Sequence, residues 1–168
     1  METRGLIASM GLLSVLLAAP VKGGVRVGDI FPPLAPAGLV GSRLPQMSGR
    51  VVLVDFWASW CAPCKASFPA YAVLNSEFAS KGLVIVAISV DQDPAAYAAF
   101  VKRFNPSFPV ELDGGQKLVR ETEVPAMPTS YLMDREGRVR FLHPGFHGSA
   151  TVLPLRLEIE ALLAEKIP

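Results

Sequence analysis

Residues 51–65 read Val51-Val52-Leu53-Val54-Asp55-Phe56-Trp57-Ala58-Ser59-Trp60-Cys61-Ala62-Pro63-Cys64-Lys65, and the fold turns on this stretch. Val51 to Ala58 is a continuous apolar run of strand formers with one carboxylate inside it. Such a run suits a strand buried on both faces of a parallel sheet. Asp55 is the oddity in it. After Cys61-Ala62-Pro63-Cys64 the pattern changes: Phe68, Tyr71, Leu74 and Phe78 recur at helical spacing as far as Ser80, and Gly82 stops the helix. Two sulfurs therefore stand where a buried strand gives way to a helix.

The alternation repeats downstream. Leu83 to Val90 (LVIVAISV) is a second buried strand. Asp93-Pro94 then supplies an N-cap and a first-turn proline for a helix running to about Phe104. Val110 to Leu112 reads as a short strand and Gln116 to Glu123 as a short helix or turn, before Val124-Pro125-Ala126-Met127-Pro128 breaks all regularity. Thr129 to Met133 and Arg138 to His143 alternate around Asp134-Arg135-Glu136-Gly137, which predicts a β-hairpin with a glycine in its turn. Thr151 to Lys166 completes the chain as an amphipathic helix through Val152, Leu155, Ile159, Leu162 and Leu163. Upstream, Gly24 to Gly49 is rich in Gly and Pro and is expected to form an irregular arm with a small β-hairpin. This order points to an α/β sandwich.

Composition narrows the function classes. The chain has 168 residues, 51% hydrophobic and 18% charged, with Lys+Arg 16 against Asp+Glu 15. That length suits one domain, and the high apolar fraction at near-zero net charge excludes disorder. A formal charge of +1 leaves no electrostatic surplus for phosphates, so no nucleic-acid partner is expected. With 2 Cys, a disulfide-dense scaffold is excluded. Behind Arg4, the uncharged run Leu6 to Pro20 reads as a secretory signal, shorter than the roughly 20 apolar residues of a membrane span. Residues 1–23 are thus expected to be a signal peptide or N-terminal anchor, and 24–168 the folded domain. The location implied is extracytoplasmic, in a bacterial periplasm. Nothing signals oligomerisation, and a monomer is expected.

At a helix N-terminus, unpaired backbone N–H groups and the helix dipole favour a thiolate. Cys61 is therefore the candidate nucleophile, and Cys64, one turn later, the resolving thiol. The C-x-x-C spacing alone also fits zinc, and His143 and His147 supply an H-x3-H pair. The long gap between Cys64 and His143 and the strand–helix context set zinc aside. No metal and no cofactor beyond the Cys61–Cys64 disulfide are expected.

Val54 to Lys65 resembles the active-site segment of the thioredoxin superfamily, with Pro69 placed where that family kinks its active-site helix. Met127-Pro128-Thr129 resembles its cis-proline loop. The likeness covers roughly Val51 to Val139. Together with the leader, the arm and the extra segment Pro94 to Leu112, it is most similar to the extracytoplasmic TlpA/ResA-like branch. The resemblance implies a three-layer α/β/α sandwich with an insert between the second strand and the proline loop. It also implies thiol-disulfide oxidoreductase activity on protein substrates, in several members in cytochrome c maturation. A cis Met127–Pro128 bond would expose the backbone edge of Met127 to an extended substrate segment by β-augmentation.

Asp55, six residues before Cys61 and flanked by apolar residues, is expected to be buried with a raised pKa and to accept the Cys64 proton through a water. The resemblance implies that same role. Many TlpA-like sequences carry Asn there. Cytochrome-maturation members commonly have Glu two residues after C-x-x-C-K, where this chain has Ser67. Trp57 reads as core, while Trp60 is expected to shield the disulfide and touch substrates. Lys65 is a candidate for electrostatic support of the Cys61 thiolate.

Two other functions compete. A peroxiredoxin-type thiol peroxidase would place Thr three residues before its Cys, where this chain has Ala58. A non-catalytic binding module would be expected to have lost a cysteine. A disulfide reductase remains the leading expectation, and with no second C-x-x-C in the chain its electrons imply a membrane thiol donor.

Overall fold

The computed structural model describes residues 23–166. The elements in chain order are β1 (Val40–Gly41), β2 (Val51–Trp57), α1 (Ala62–Phe78), β3 (Leu83–Ser89), α2 (Pro94–Phe104), β4 (Val110–Leu112), α3 (Lys117–Thr122), β5 (Thr129–Met133), β6 (Val139–Pro144) and α4 (Ser149–Ala164). The leader expected over residues 1–23 lies, save Gly23, outside the described residues. Among the described residues, no helix is long and apolar enough to cross a membrane.

Six strands form one sheet in the order β1-β4-β3-β2-β5-β6. β2 runs parallel to β3 but antiparallel to β5, so the sheet is mixed, and every residue of β2 is buried. Side chains of β2 alternate between faces. On one face, Trp57 packs against Phe68 of α1 and Phe100 of α2, while Arg156 of α4 pairs with Glu77 of α1. On the other, Phe56 and Phe31 of the arm pack edge-on against Tyr131, whose hydroxyl reaches the Thr122 carbonyl of α3. The three-layer sandwich follows from this division.

Local signals behave as the residues dictate. Asp93 caps α2 by accepting from the Ala95 N–H at 2.9 Å. α1 gives way to a short 3-10 turn, and Gly82 at φ 114° then turns the chain into β3, a backbone conformation that an L side chain resists. α2 and β4 are the insert between β3 and the Met127–Pro128 loop.

One expectation needs correction. The arm does not form its own hairpin: Val40 and Gly41 pair antiparallel with Leu112 and Glu111 of β4, and Ile30 bridges Arg138. β4 would otherwise present an open edge of unpaired backbone groups, and the arm covers it. Gly41 permits the approach, because a Cβ there would lie 2.4 Å from the Val110 carbonyl oxygen.

Candidate active site

The site lies at the carboxyl end of β2. Cys61 is the N-cap of α1, in extended conformation, and its Sγ accepts from the Cys64 N–H at 3.3 Å. Pro63 in the first turn has no N–H to leave unpaired. Cys61 and Cys64 are joined by a disulfide with Cα atoms 5.3 Å apart. Cys61 retains 5% exposure and Cys64 none, so of the two cysteines Cys61 is the one that meets solvent. Trp60 beside it is 69% exposed, an isolated large aromatic at the rim, whereas Trp57 is wholly in the core.

The loop before Cys61 is anchored by a carboxylate the sequence reading passed over. Asp91, buried just beyond β3, accepts from the Ser59 N–H at 3.0 and 3.1 Å, from Ser59 Oγ at 2.8 Å and from Ser89 Oγ at 2.7 Å. Both its oxygens are thereby engaged, and elsewhere in the core Trp57 Nε1 is buried without a partner among the described residues.

The register of β2 with β5 sets Phe56 opposite Thr129, which brings Met127-Pro128 to the same end of the sheet as the Cys61 loop. The Met127–Pro128 bond is cis. Pro128 and Thr129 are buried, with Thr129 Oγ1 donating to the Ala126 carbonyl at 2.8 Å and Pro128 O accepting from the Gly145 N–H at 2.7 Å. Met127 is half-buried, and its own N–H and C=O have no hydrogen-bond partner among the described residues.

Asp55 is fully buried on β2. Its Oδ1 accepts from Ser130 Oγ at 2.7 Å and from the Tyr71 hydroxyl at 3.2 Å, and Oδ2 has no partner among the described residues. Burial raises its pKa from 3.8 to about 7, against the opposing pull of the Ser130 and Tyr71 hydrogen bonds. The Tyr71 pKa is pushed well above 10 by its own burial and then by the Asp55 charge. Tyr71 and Ser130 were not singled out from sequence, since one looked like an ordinary core aromatic and the other like a strand hydroxyl. The available signal was the seven-residue spacing of Tyr71 from Cys64, two helical turns on the same face.

The remaining candidates lie apart. Lys65 is exposed and lines a shallow groove with Ser59 and Arg103, between α1 and α2. His143 pairs with Glu158 of α4 at 2.6 Å, joining β6 to that helix. Among the described residues, no three metal-ligating side chains converge.

A family model described as Redoxin matches residues 27–151. The thiol-disulfide oxidoreductase ResA of Bacillus subtilis (strain 168) is 32% identical over 150 residues, covering 82% of this chain and 84% of that protein. ResA of a Bacillus cereus strain is 32% identical over 120 residues, covering 70% and 69%. Among solved structures, a Chlorobium tepidum chain assigned as a thiol:disulfide interchange protein DsbE is similar at TM-score 0.77 and 34% identity, over 84% of this chain and 100% of that one. StoA from Bacillus subtilis is similar at TM-score 0.58 and 25% identity, over 66% and 82%. The paired cysteines at a helix start and relatives of this kind agree on the chemistry, which is thiol-disulfide exchange. The chain belongs to the Redoxin family, on the ResA-like branch of the thioredoxin superfamily, and is a thiol-disulfide oxidoreductase.

Proposed function

We propose that the protein is an extracytoplasmic reductase of protein disulfides, in which Cys61 attacks and Cys64 resolves. The observation that carries this is the one-sided exposure of the pair: Cys61 alone reaches solvent, at a helix start that favours its thiolate, while Cys64 lies buried. Attack by Cys61 on a substrate disulfide forms a mixed disulfide. Cys64 then displaces the substrate and closes the Cys61–Cys64 bond. Asp55, buried and with a pKa near neutrality, takes the Cys64 proton as that thiol attacks.

The unpaired backbone groups of Met127 offer an extended substrate segment a strand edge to pair with, and Pro128 and Thr129 hold that edge in place. Trp60 supplies an exposed aromatic face beside the reacting sulfur, and Lys65 adds positive charge on the first turn of α1. A single C-x-x-C needs electrons from elsewhere, which implies a membrane thiol donor serving a monomeric domain. Service to cytochrome c maturation is the narrower form of this function. Ser67, whose hydroxyl bonds the Cys64 carbonyl at 2.9 Å where those members commonly have Glu, favours the broader one.

Equilibrium titration of the Cys61–Cys64 pair against defined thiol/disulfide buffers, followed by Trp fluorescence, tests the direction. A potential near about −270 mV supports a reductase, and one near about −120 mV an oxidant of folding proteins. In parallel, Cys64→Ser should accumulate covalent partners on non-reducing gels. If it traps none, exchange with protein substrates is refuted.

A further inference from the structure

Asp55 is held unsymmetrically. Ser130 Oγ lies 2.7 Å from Oδ1 and 2.7 Å from the Tyr71 hydroxyl oxygen, which is itself 3.2 Å from Oδ1. Two hydroxyls supply two protons to these three oxygen contacts. Each hydroxyl is placed to donate to Oδ1, and either can be the donor across the Ser130–Tyr71 contact. At 2.7 Å the Ser130 contact has the usual length of an O–H···O hydrogen bond and is shorter than the 3.2 Å contact from Tyr71. Oδ2, in contrast, is buried and has no partner among the described residues.

Three buried residues of α1, Cys64, Ser67 and Tyr71, recur at i, i+3 and i+7, which puts them on one stripe of the helix. Tyr71 touches Asp55, so that stripe faces β2 and carries Cys64 toward the same carboxylate. From β5, the residue in register with Asp55 is Ser130, and from β3 it is Ala87, which carries no ionisable group. Phe146, on the segment leading into α4, packs edge-on against Tyr71 and is apolar. The titratable group in contact with Asp55 is thus Tyr71, and the helix stripe places Cys64 on the same side of α1.

We propose that Ser130 and Tyr71 are positioning residues for the resolving step, pinning Oδ1 of Asp55 so that Oδ2 is the atom that receives the Cys64 proton. The proposal rests on Asp55 as proton acceptor, as put forward above. In the step, the Cys64 S–H bond breaks and its proton passes to Oδ2. The thiolate forms a bond to Cys61 Sγ, and the bond from Cys61 to the substrate sulfur breaks with its electron pair leaving on the substrate. The substrate disulfide gains the two electrons that the cysteine pair gives up.

The experiment is the pH dependence of single-turnover release of a model peptide from its mixed disulfide, in the parent, Asp55→Asn, Ser130→Ala, Ser130→Thr and Tyr71→Phe. Donors to Oδ1 favour the ionised carboxylate, so losing one moves the inflection to higher pH. Ser130→Ala is expected to raise it by about one unit, slowing release roughly tenfold below the inflection, about 1.4 kcal/mol. Tyr71→Phe should move it in the same direction by less, in keeping with its longer contact. Ser130→Thr restores the hydroxyl and should return the inflection to the parent value. If Asp55→Asn abolishes the inflection while Ser130→Ala and Tyr71→Phe leave it unmoved, even with lowered unfolding midpoints, the positioning role is refuted and the acceptor role stands. If Asp55→Asn keeps the inflection at the parent pH, the acceptor role itself fails.

Discussion

Replacing Asp55 by Asn should make the oxidised protein more stable at alkaline pH and change little in acid. Asn keeps the Oδ1 acceptor for Ser130 and Tyr71 but cannot ionise. In the unfolded chain the Asp55 carboxyl titrates near 3.8, and in the folded protein its burial moves this to about 7. Between those values the folded state holds a proton that the unfolded state has released, so stability falls as pH rises. The Asp55 contribution is fully present below about 3.8, is lost through the window up to about 7, and is flat beyond. Each pH unit in that window corresponds to about 1.4 kcal/mol, so the whole descent amounts to about 4 kcal/mol, with no solvent screening to discount at a fully buried site. The assay is urea unfolding of both proteins with the disulfide intact, across the range from about pH 4 to about pH 8, followed by Trp fluorescence. Every other titrating group is common to the two, so the difference between the curves isolates Asp55. Parallel curves over that range would refute a carboxyl titrating near neutrality.

Three further outcomes follow from the packing. Phe68 is buried with its ring 5.0 Å from both Trp57 and Phe100 and 5.4 Å from Phe108, so Phe68→Ala should cost roughly 3–5 kcal/mol in denaturant unfolding. Asp91→Ala leaves the Ser59 N–H and two hydroxyls without their acceptor, and should cost roughly 1–3 kcal/mol while changing the rate at which iodoacetamide alkylates Cys61 in the reduced protein. Asp93→Ala removes the α2 cap and should cost about 1 kcal/mol, with the reduced Cys61 alkylation rate unaltered, since Asp93 bonds only within its own helix turn.

Much of this was legible along the chain because the determining signals are local. The run Val51–Trp57, the capping pair Asp93-Pro94 and the Gly137 turn each name their own structure within a few residues. Asp55 was conspicuous because a carboxylate among apolar neighbours is costly without a reason to be there. Tyr71 and Ser130 were not, because the pairing that gives them meaning spans 75 residues from Asp55 to Ser130 and is created by strand register. Asp91 was hidden likewise: its partner Ser59 stands 32 residues away. The arm was misread for the same reason. Its Gly- and Pro-rich sequence shows only that it is irregular, while the edge it covers belongs to β4, far along the chain.

The unequal burial of the two cysteines also sets a clock. In the reductase reading proposed above, a substrate disulfide arriving from solvent meets Cys61 and not Cys64, so the covalent complex forms at an open door and is dissolved from a closed room. Its lifetime is then a property of the interior, of how readily Cys64 sheds its proton within the fold. The concentration of small thiols around the molecule has little hold on that step. Two proteins with the same surface chemistry could thus detain a substrate for very different times, through differences no partner ever touches.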